Sequence, residues 1–396
     1  MFDRRAVTCL IFGLGIMAGL PGCSTKEKHI QTIMYSQPLE ALDVIKMVSK
    51  VGPMVPDLKN KNLSRVDLTG LDFRRADLTG SYLVETRMNR ANLSKVELGR
   101  AILSNAHLVD ANLQETNLTG ADLRGADLSG ANLTGAILSG ADLRGARLTR
   151  ATLKHTMMEN TNLRGAQMKG AYLSELTLSK VALEGADMEG INLNEVNASN
   201  ARFNGVNLSR AKIHQSDFND VSFAGANLSL ADARAIEAQY SDFSGANLTR
   251  ADFSGANMYK SDFTKADLTN AKLNESIISE CRFSNVIMTG ANFFRADMTY
   301  SLLNSVQAQG TRFVGAKMSN ADLSRGIFDG SDFSRADLTF VVFMMASLRN
   351  VVFQHANLRA TDFRGADLAG ASFRAANNMD TSKGLEKGLN LDDSTF

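Results

Sequence analysis

The side chains that most often carry out catalysis are few in this sequence and poorly spaced for it. Histidine occurs only at His29, His107, His155, His214 and His355. A metal site or a nucleophile–base pair needs its groups within hydrogen-bond reach, and no two of these histidines are close in the chain. No HExxH, CxxC, GxSxG or P-loop pattern is present. The three cysteines, Cys9, Cys23 and Cys281, exclude a disulfide framework and a Cys-rich metal site. Aspartates are abundant but recur at regular intervals, which suits side chains bonding the backbone at turns better than a catalytic carboxylate pair. Arg124, Arg144 and Arg164 recur every 20 residues and are followed by Glu184, with Asp122 and Asp142 beside them. That spacing makes either an anion-binding ladder or a self-neutralised solvated face, and the nearby carboxylates favour the second. The expectation is a non-enzyme with no cofactor, no metal and no catalytic residue.

Charge narrows the partners. The 396 residues carry 43 Lys+Arg and 42 Asp+Glu. Residues 1–22 contribute Asp3, Arg4 and Arg5, so the remainder holds 41 of each sign. A body with no net charge is not built to bind nucleic acid through a single-sign field. At 44% hydrophobic, the chain has the composition of a folded protein.

The N-terminus carries an address. Arg4 and Arg5 precede an uncharged 15-residue run, Ala6 to Leu20. That run is too short to span a bilayer, which takes about 20 residues, but it fits the apolar core of a secretory signal. It ends in Leu20-Pro21-Gly22-Cys23. This resembles a bacterial lipoprotein signal, with Pro21 in place of the usual small spacer residue. The resemblance implies a signal peptide over 1–22 and acylation of Cys23. Several acyl chains exceed the two-signal threshold for stable anchoring, at about 0.8 kcal/mol per buried CH₂. Ser24, being other than Asp, implies by the same resemblance a cell-envelope location on the outer membrane, facing the periplasm. With Cys9 removed, Cys281 is the only other mature thiol. Residues 23–37 read as a tether. Residues 38–55 read as a short helix after Pro38, with Leu39, Leu42, Ile45 and Val48 at three-residue spacing and Val44 and Val51 nearby. Its expected role is to cap the open edge of the repeats that begin near Leu58.

From Leu58 to Phe373 a core-type residue falls on every fifth position without insertion or deletion, 64 times. Sixty of these centres are Leu, Phe, Met or Ile; the others are Ala198, Ala233, Ala238 and Ala308. Two residues before the centre, 33 positions are Ala; two after it, 22 are Gly. A typical stretch is Ala121-Asp122-Leu123-Arg124-Gly125. The pattern resembles the pentapeptide-repeat family and covers about four-fifths of the chain. The resemblance implies an all-β fold, a right-handed quadrilateral β-helix over 56–375, with one pentapeptide per side and four per coil. Centres and preceding small residues then point inward, Cys281 among them, and glycines supply positive φ at turns. Proline is absent after Pro56 because each strand needs its N–H. Sixteen coils at about 4.8 Å make a rod of roughly 75 Å. Phe203, Phe223, Phe243, Phe263 and Phe283 fall on one side, and Phe293, Phe313, Phe333, Phe353 and Phe373 on another, predicting a Leu-cored half and a Phe-cored half. His155, His214 and His355 share a side but sit about three and ten coils apart. The frame breaks at Asn377-Asn378, and 376–396 read as a C-terminal cap in which Leu391 and Phe396 regain five-residue spacing.

On this fold several apolar side chains occupy outward slots. Phe340, Val342, Met344 and Met345 crowd one stretch, Tyr300 and Leu302 lie two coils earlier on the same face, and Phe294 and Val314 stack on a third face. Contiguous exposed apolar surface usually marks a contact with a partner. The expectation is a lipid-anchored scaffold that holds the bilayer through Cys23 and meets a protein partner, or a second copy as a homodimer, through that surface. The alternative is a DNA-mimicking, topoisomerase-binding member of the family. Such mimics are strongly negative, and this chain is neutral.

Overall fold

The computed structural model describes residues 38–49, 56–74, 76–173 and 176–385. The signal segment, Cys23, the tether, residues 50–55, and Leu391 and Phe396 lie outside the described residues.

One repeat explains the rest. In Ala121-Asp122-Leu123-Arg124-Gly125, every backbone N–H has a partner. Ala121 donates to Leu118 O across the preceding turn (3.0 Å), and Asp122 to Ala101 O in the coil before (2.9 Å). Leu123 and Gly125 donate to Asp142 O (2.8 Å) and Arg144 O (3.0 Å) in the coil after. The fifth, Arg124 N–H, donates to the Asp122 side chain (3.1 Å). The Asp or Asn before so many centres is therefore a turn residue that satisfies the one donor the ladder leaves over. Gly125 sits at φ 66°, and Ala126 N–H closes the turn on Leu123 O at 3.0 Å, as a type II turn requires.

Coils stack in register. Asp122 pairs in parallel with Ile102 below and Asp142 above, and the same 20-residue step recurs from Asp57 to Asn377. Each side is so short that it contributes a single bridging residue to each parallel ladder. The result is a β-helix of four five-residue sides per coil. We number the sides 1 to 4 by the centres Leu63, Leu68, Phe73 and Leu78.

The corner residue takes positive φ at every described repeat. Glycine supplies it at 22 corners, and 40 others hold non-glycine residues at φ between 52° and 65°. None of these 40 is β-branched, the class for which left-handed backbone is most costly. The turn is thus set by the ladder on either side, and glycine is a convenience there.

Inside, every described centre from Leu58 to Phe373 is buried. The small residues two before them are mostly buried too, and where these are Ser or Thr the hydroxyl in most cases donates to a carbonyl of the coil below, as Thr86 does to Leu63 O (2.7 Å); Ser276 turns instead to Leu273 O in its own coil (2.8 Å). Ser241, Ser261, Cys281 and Ser301 form one such column. The Cys281 thiol takes the hydroxyl's place against Met258 O (3.0 Å), and burial pushes it up to about 12. Two outcomes are expected. Thiol reagents at about pH 8 should label Cys281 only after unfolding, and Cys281→Ser should change stability by less than about 1 kcal/mol, since its column neighbours already hold serine. Rapid labelling of the native protein would contradict this placement.

The Phe ladders form as the register dictates. Phe243, Phe263 and Phe283 stack with centroids 4.9 and 4.8 Å apart and interplanar angles of 2°. The second ladder takes over through an edge contact between Phe283 and Phe293 (6.5 Å). Alanine centres make room in the same column: Ala198 and Ala238 lie one coil below and above Phe218, whose ring meets Phe203 edge-on at 5.7 Å.

At the N-terminal end, helix α1 (Ala41–Val48) lies on the first coils. Val44 is fully buried, with Leu39, Ala41, Met47 and Val48 packed against the core, and Leu39 N–H donates to Asn62 O (2.9 Å). Leu42 and Ile45 are exposed instead. A three-residue step lags a 3.6-residue turn, so the stripe expected from that spacing winds off the buried face. At the other end a 3-10 turn, Met379–Thr381, adds one residue, so that Lys383 pairs with Asp362 at a spacing of 21.

Candidate interaction surface

The polar chemistry of the surface is largely taken up within the rod. Arg124 and Arg144 each chelate the aspartate of their own side at 2.6 Å, and Arg164 bonds Glu184 at 2.9 Å. The arginine column is self-neutralised. A groove of about 680 Å³ runs along the corner between sides 1 and 2, lined by Arg65, Glu85, Arg87, His107, Asp127 and Arg147. Its charges are mixed and paired: Arg65 with Glu85 (3.0 Å) and Arg147 with Asp127 (3.6 Å). Among the described residues no three His, Cys, Asp or Glu groups are placed to hold a metal.

These pairs make a modest, pH-dependent contribution. The hydrogen bonds from Arg364 hold the Asp362 carboxyl below its ordinary value of 3.8, against a smaller opposing effect of burial. A depressed carboxylate stabilises the fold above its unfolded pKa and loses that contribution as pH falls through the folded one. Asp362→Asn should therefore cost about 0.5–1 kcal/mol at neutral pH, since the arginine remains solvated, and progressively less as pH falls below the ordinary carboxylate range. Melting curves at neutral and acidic pH measure the difference.

The eight candidate apolar positions fall in two separate places. Phe340, Val342, Met344 and Met345 cross side 1 in a single coil; Phe340 is 52% and Met345 63% exposed, while Val342 and Met344 are half-buried. The band is one coil tall. Asp322 borders it on one side and Asp362 on the other, and Arg364 reaches the Met344 sulfur at 3.9 Å. Tyr300 and Leu302, both exposed, stand two coils away on the same side. Phe294 and Val314 are half-buried on side 3, the non-adjacent side, and the Phe294 ring is clasped by Arg295 (5.0 Å) and Arg312 (5.4 Å). That cation–π packing covers part of the ring. Side 1 and its edge with side 4 are thus where the exposed members gather.

The family model described as Pentapeptide repeats matches residues 57–83, 91–264, 266–339 and 346–377. The chain belongs to the pentapeptide-repeat family. Solved structures with this repeat include HetL, a protein involved in heterocyst differentiation regulation from the cyanobacterium Nostoc sp. strain PCC 7120. It is 22% identical over 80% of this chain and 96% of its own, with a TM-score of 0.22. Rfr23 from the cyanobacterium Cyanothece 51142 is 38% identical over 26% of this chain and 64% of its own, with a TM-score of 0.21. QnrB1, a plasmid-mediated fluoroquinolone resistance protein, is 19% identical over 48% of this chain and 88% of its own, with a TM-score of 0.28. No curated protein matches the chain.

One surface feature of this pentapeptide-repeat rod escaped the sequence reading. At the corner between sides 4 and 1, Tyr240 packs edge-on against Tyr259 (5.8 Å). The Tyr259 hydroxyl donates to Glu280 (2.7 Å), and Lys260 bonds the same carboxylate (3.2 Å) while lying over the Tyr259 ring (5.0 Å). Tyr300 follows, 61% exposed. The signal was present in the 20-residue spacing of Tyr240, Lys260, Glu280 and Tyr300, but a search for apolar runs passes over charged residues that alternate with tyrosines.

Proposed function

We propose that this chain is a non-enzymatic, lipid-anchored scaffold of the cell envelope that presents side 1 and its edge with side 4 to a protein partner. The observation that carries the reading is that many of the surface carboxylates and guanidinium groups are engaged within the rod itself, while Tyr240, Tyr300, Leu302, Phe340 and Met345 stand exposed on one side and edge. Exposed Tyr, Phe and Met are the residues in which protein interfaces are enriched. The anchoring rests on Leu20-Pro21-Gly22-Cys23. A right-handed coil and a capping role for α1 complete the picture: parallel crossovers favour that hand, and a solenoid needs its end covered. A DNA-mimic role would need a strong negative charge that this chain lacks.

Fractionation tests the anchor: wild type should partition with envelope membranes and Cys23→Ala should not. Photo-crosslinking from position 340 in intact cells tests the surface. A discrete adduct that is lost when Val342 and Met344 are replaced by Ser supports it; no adduct from side 1 or its edge refutes it.

A further inference from the structure

We propose that two copies of this chain pair side by side and antiparallel along the edge between sides 4 and 1, about a two-fold axis that passes between Lys260 and Glu280. This rests on reading that surface as an interface, and it names the partner. Along the corner the order is Asp220, Tyr240, Lys260, Glu280, Tyr300, Asn320. Rotating one copy about an axis perpendicular to the rod and lying in the contact plane reverses that order. Lys260 then faces Glu280, Tyr240 faces Tyr300 and Asp220 faces Asn320, each pair occurring twice as an isologous contact demands. The column just inside side 1 obeys the same rotation: Asp262 faces Arg282, which already reaches it within one chain at 3.7 Å. Leu302 opposite Asp242 ends the complementary run.

A parallel pairing in register would set Lys260 against Lys260 and Glu280 against Glu280, so charge selects the antiparallel arrangement. Lys260 and Glu280 are bonded to each other within each copy (3.2 Å), but the groups remain accessible to a partner. Tyr240 is 55% exposed, and the Lys260 and Glu280 side chains are each 42% exposed. Opposite charges on neighbouring coils also occur at the corners Arg65–Glu85, Arg90–Asp110, Lys95–Glu115 and Glu275–Arg295, but none of these has an aromatic residue at the same corner of the flanking coils. Among the described corners, only the Lys260–Glu280 pair lies between two tyrosines, Tyr240 and Tyr300. Six coils at about 4.8 Å give a contact roughly 25–30 Å long and one edge wide. That is at the small end of specific interfaces, so the dimer should be reversible and salt-sensitive, with a dissociation constant on the order of micromolar.

The test uses the full chain in detergent and sedimentation velocity. Wild type should show a concentration-dependent monomer–dimer equilibrium. Lys260→Glu alone and Glu280→Lys alone should each weaken it at least tenfold, because like charges then face across the axis. A one-to-one mixture of the two variants should recover the dimer, since the carboxylate introduced at position 260 of one chain meets the ammonium introduced at position 280 of the other. Circular dichroism checks that each variant is folded. A wild type that stays monomeric at all concentrations overturns the pairing, as does a dimer unaffected by either charge change or a mixture that fails to recover. The anchoring is read separately by fractionation of Cys23→Ala, so failure of one does not imply failure of the other.

Discussion

Phe263→Ala is expected to lower the stability of the surrounding coils by about 3–5 kcal/mol, the range for deleting a buried aromatic ring. The ring is completely buried and lies nearly parallel to Phe243 and Phe283, at 4.9 and 4.8 Å between centroids. Each coil is held at one repeat from the next by backbone hydrogen bonds, such as Phe263 N–H to Arg282 O at 2.7 Å. The walls therefore cannot collapse into the void, and the full cavity cost should be felt. In a solenoid, stability is close to a sum over neighbouring units, so the loss should be local. Amide hydrogen exchange is the right probe: coils around 243–283 should lose protection while the leucine-cored coils near 120–150 keep theirs. A loss below about 1 kcal/mol would mean that the ladder is loosely packed and contributes little beyond any apolar filler.

The interior was legible because two independent constraints repeat with one period. A large side chain must point in at the centre, and a small one must precede it where the chain rounds the corner. Once the period is five, each of those residues has an assigned place. The outer surface obeys no such rule. The half-buried state of Phe294 depends on two arginines, Arg295 and Arg312, whose rotamers no pattern specifies. The three-residue spacing leading into α1 marks only roughly which side of the helix is apolar: Leu39 and Val48 pack on the core, while Leu42 and Ile45 do not. Val44, off that stripe, became the deepest residue of the helix. The left-handed corners were half legible. Glycine marked 22 of them, and the other described corners, Tyr240, Tyr300 and Phe340 among them, became visible as left-handed only once the ladder was seen. A side chain at such a corner projects outward, which is why Tyr240, Tyr300 and Phe340 are exposed; Tyr172, exposed as well, stands on a side instead.

Removing a whole coil should be far milder than removing one residue. Deleting 126–145 joins Gly125 to Ala146. Every centre downstream keeps its side, the parallel pairs re-form one coil closer, and the rod loses only that coil's own share of stability. Deleting Ser129 alone leaves a side of four residues. The turn after Leu128 needs two central residues, with Gly130 at φ 69° as the second. Without Ser129 the chain must either withdraw Leu128 from the core or abandon the corner. Either choice breaks local ladder bonds such as Gly130 N–H to Thr149 O (2.9 Å), and a register error of one residue turns inward side chains outward. The C-terminal coil tolerates a spacing of 21 only where the 3-10 turn at Met379–Thr381 absorbs the extra residue beside the last pairing; mid-rod, coils on both sides forbid it. The single deletion should cost about 3 kcal/mol or more, in the range of mutations that open a core and strand buried polar groups. The 20-residue deletion should unfold cooperatively at nearly the wild-type denaturant midpoint. Should the shorter deletion prove the milder one, the coil would not be a fixed frame, and the assignment of residues to sides, the Tyr240–Tyr300 edge included, would fail with it.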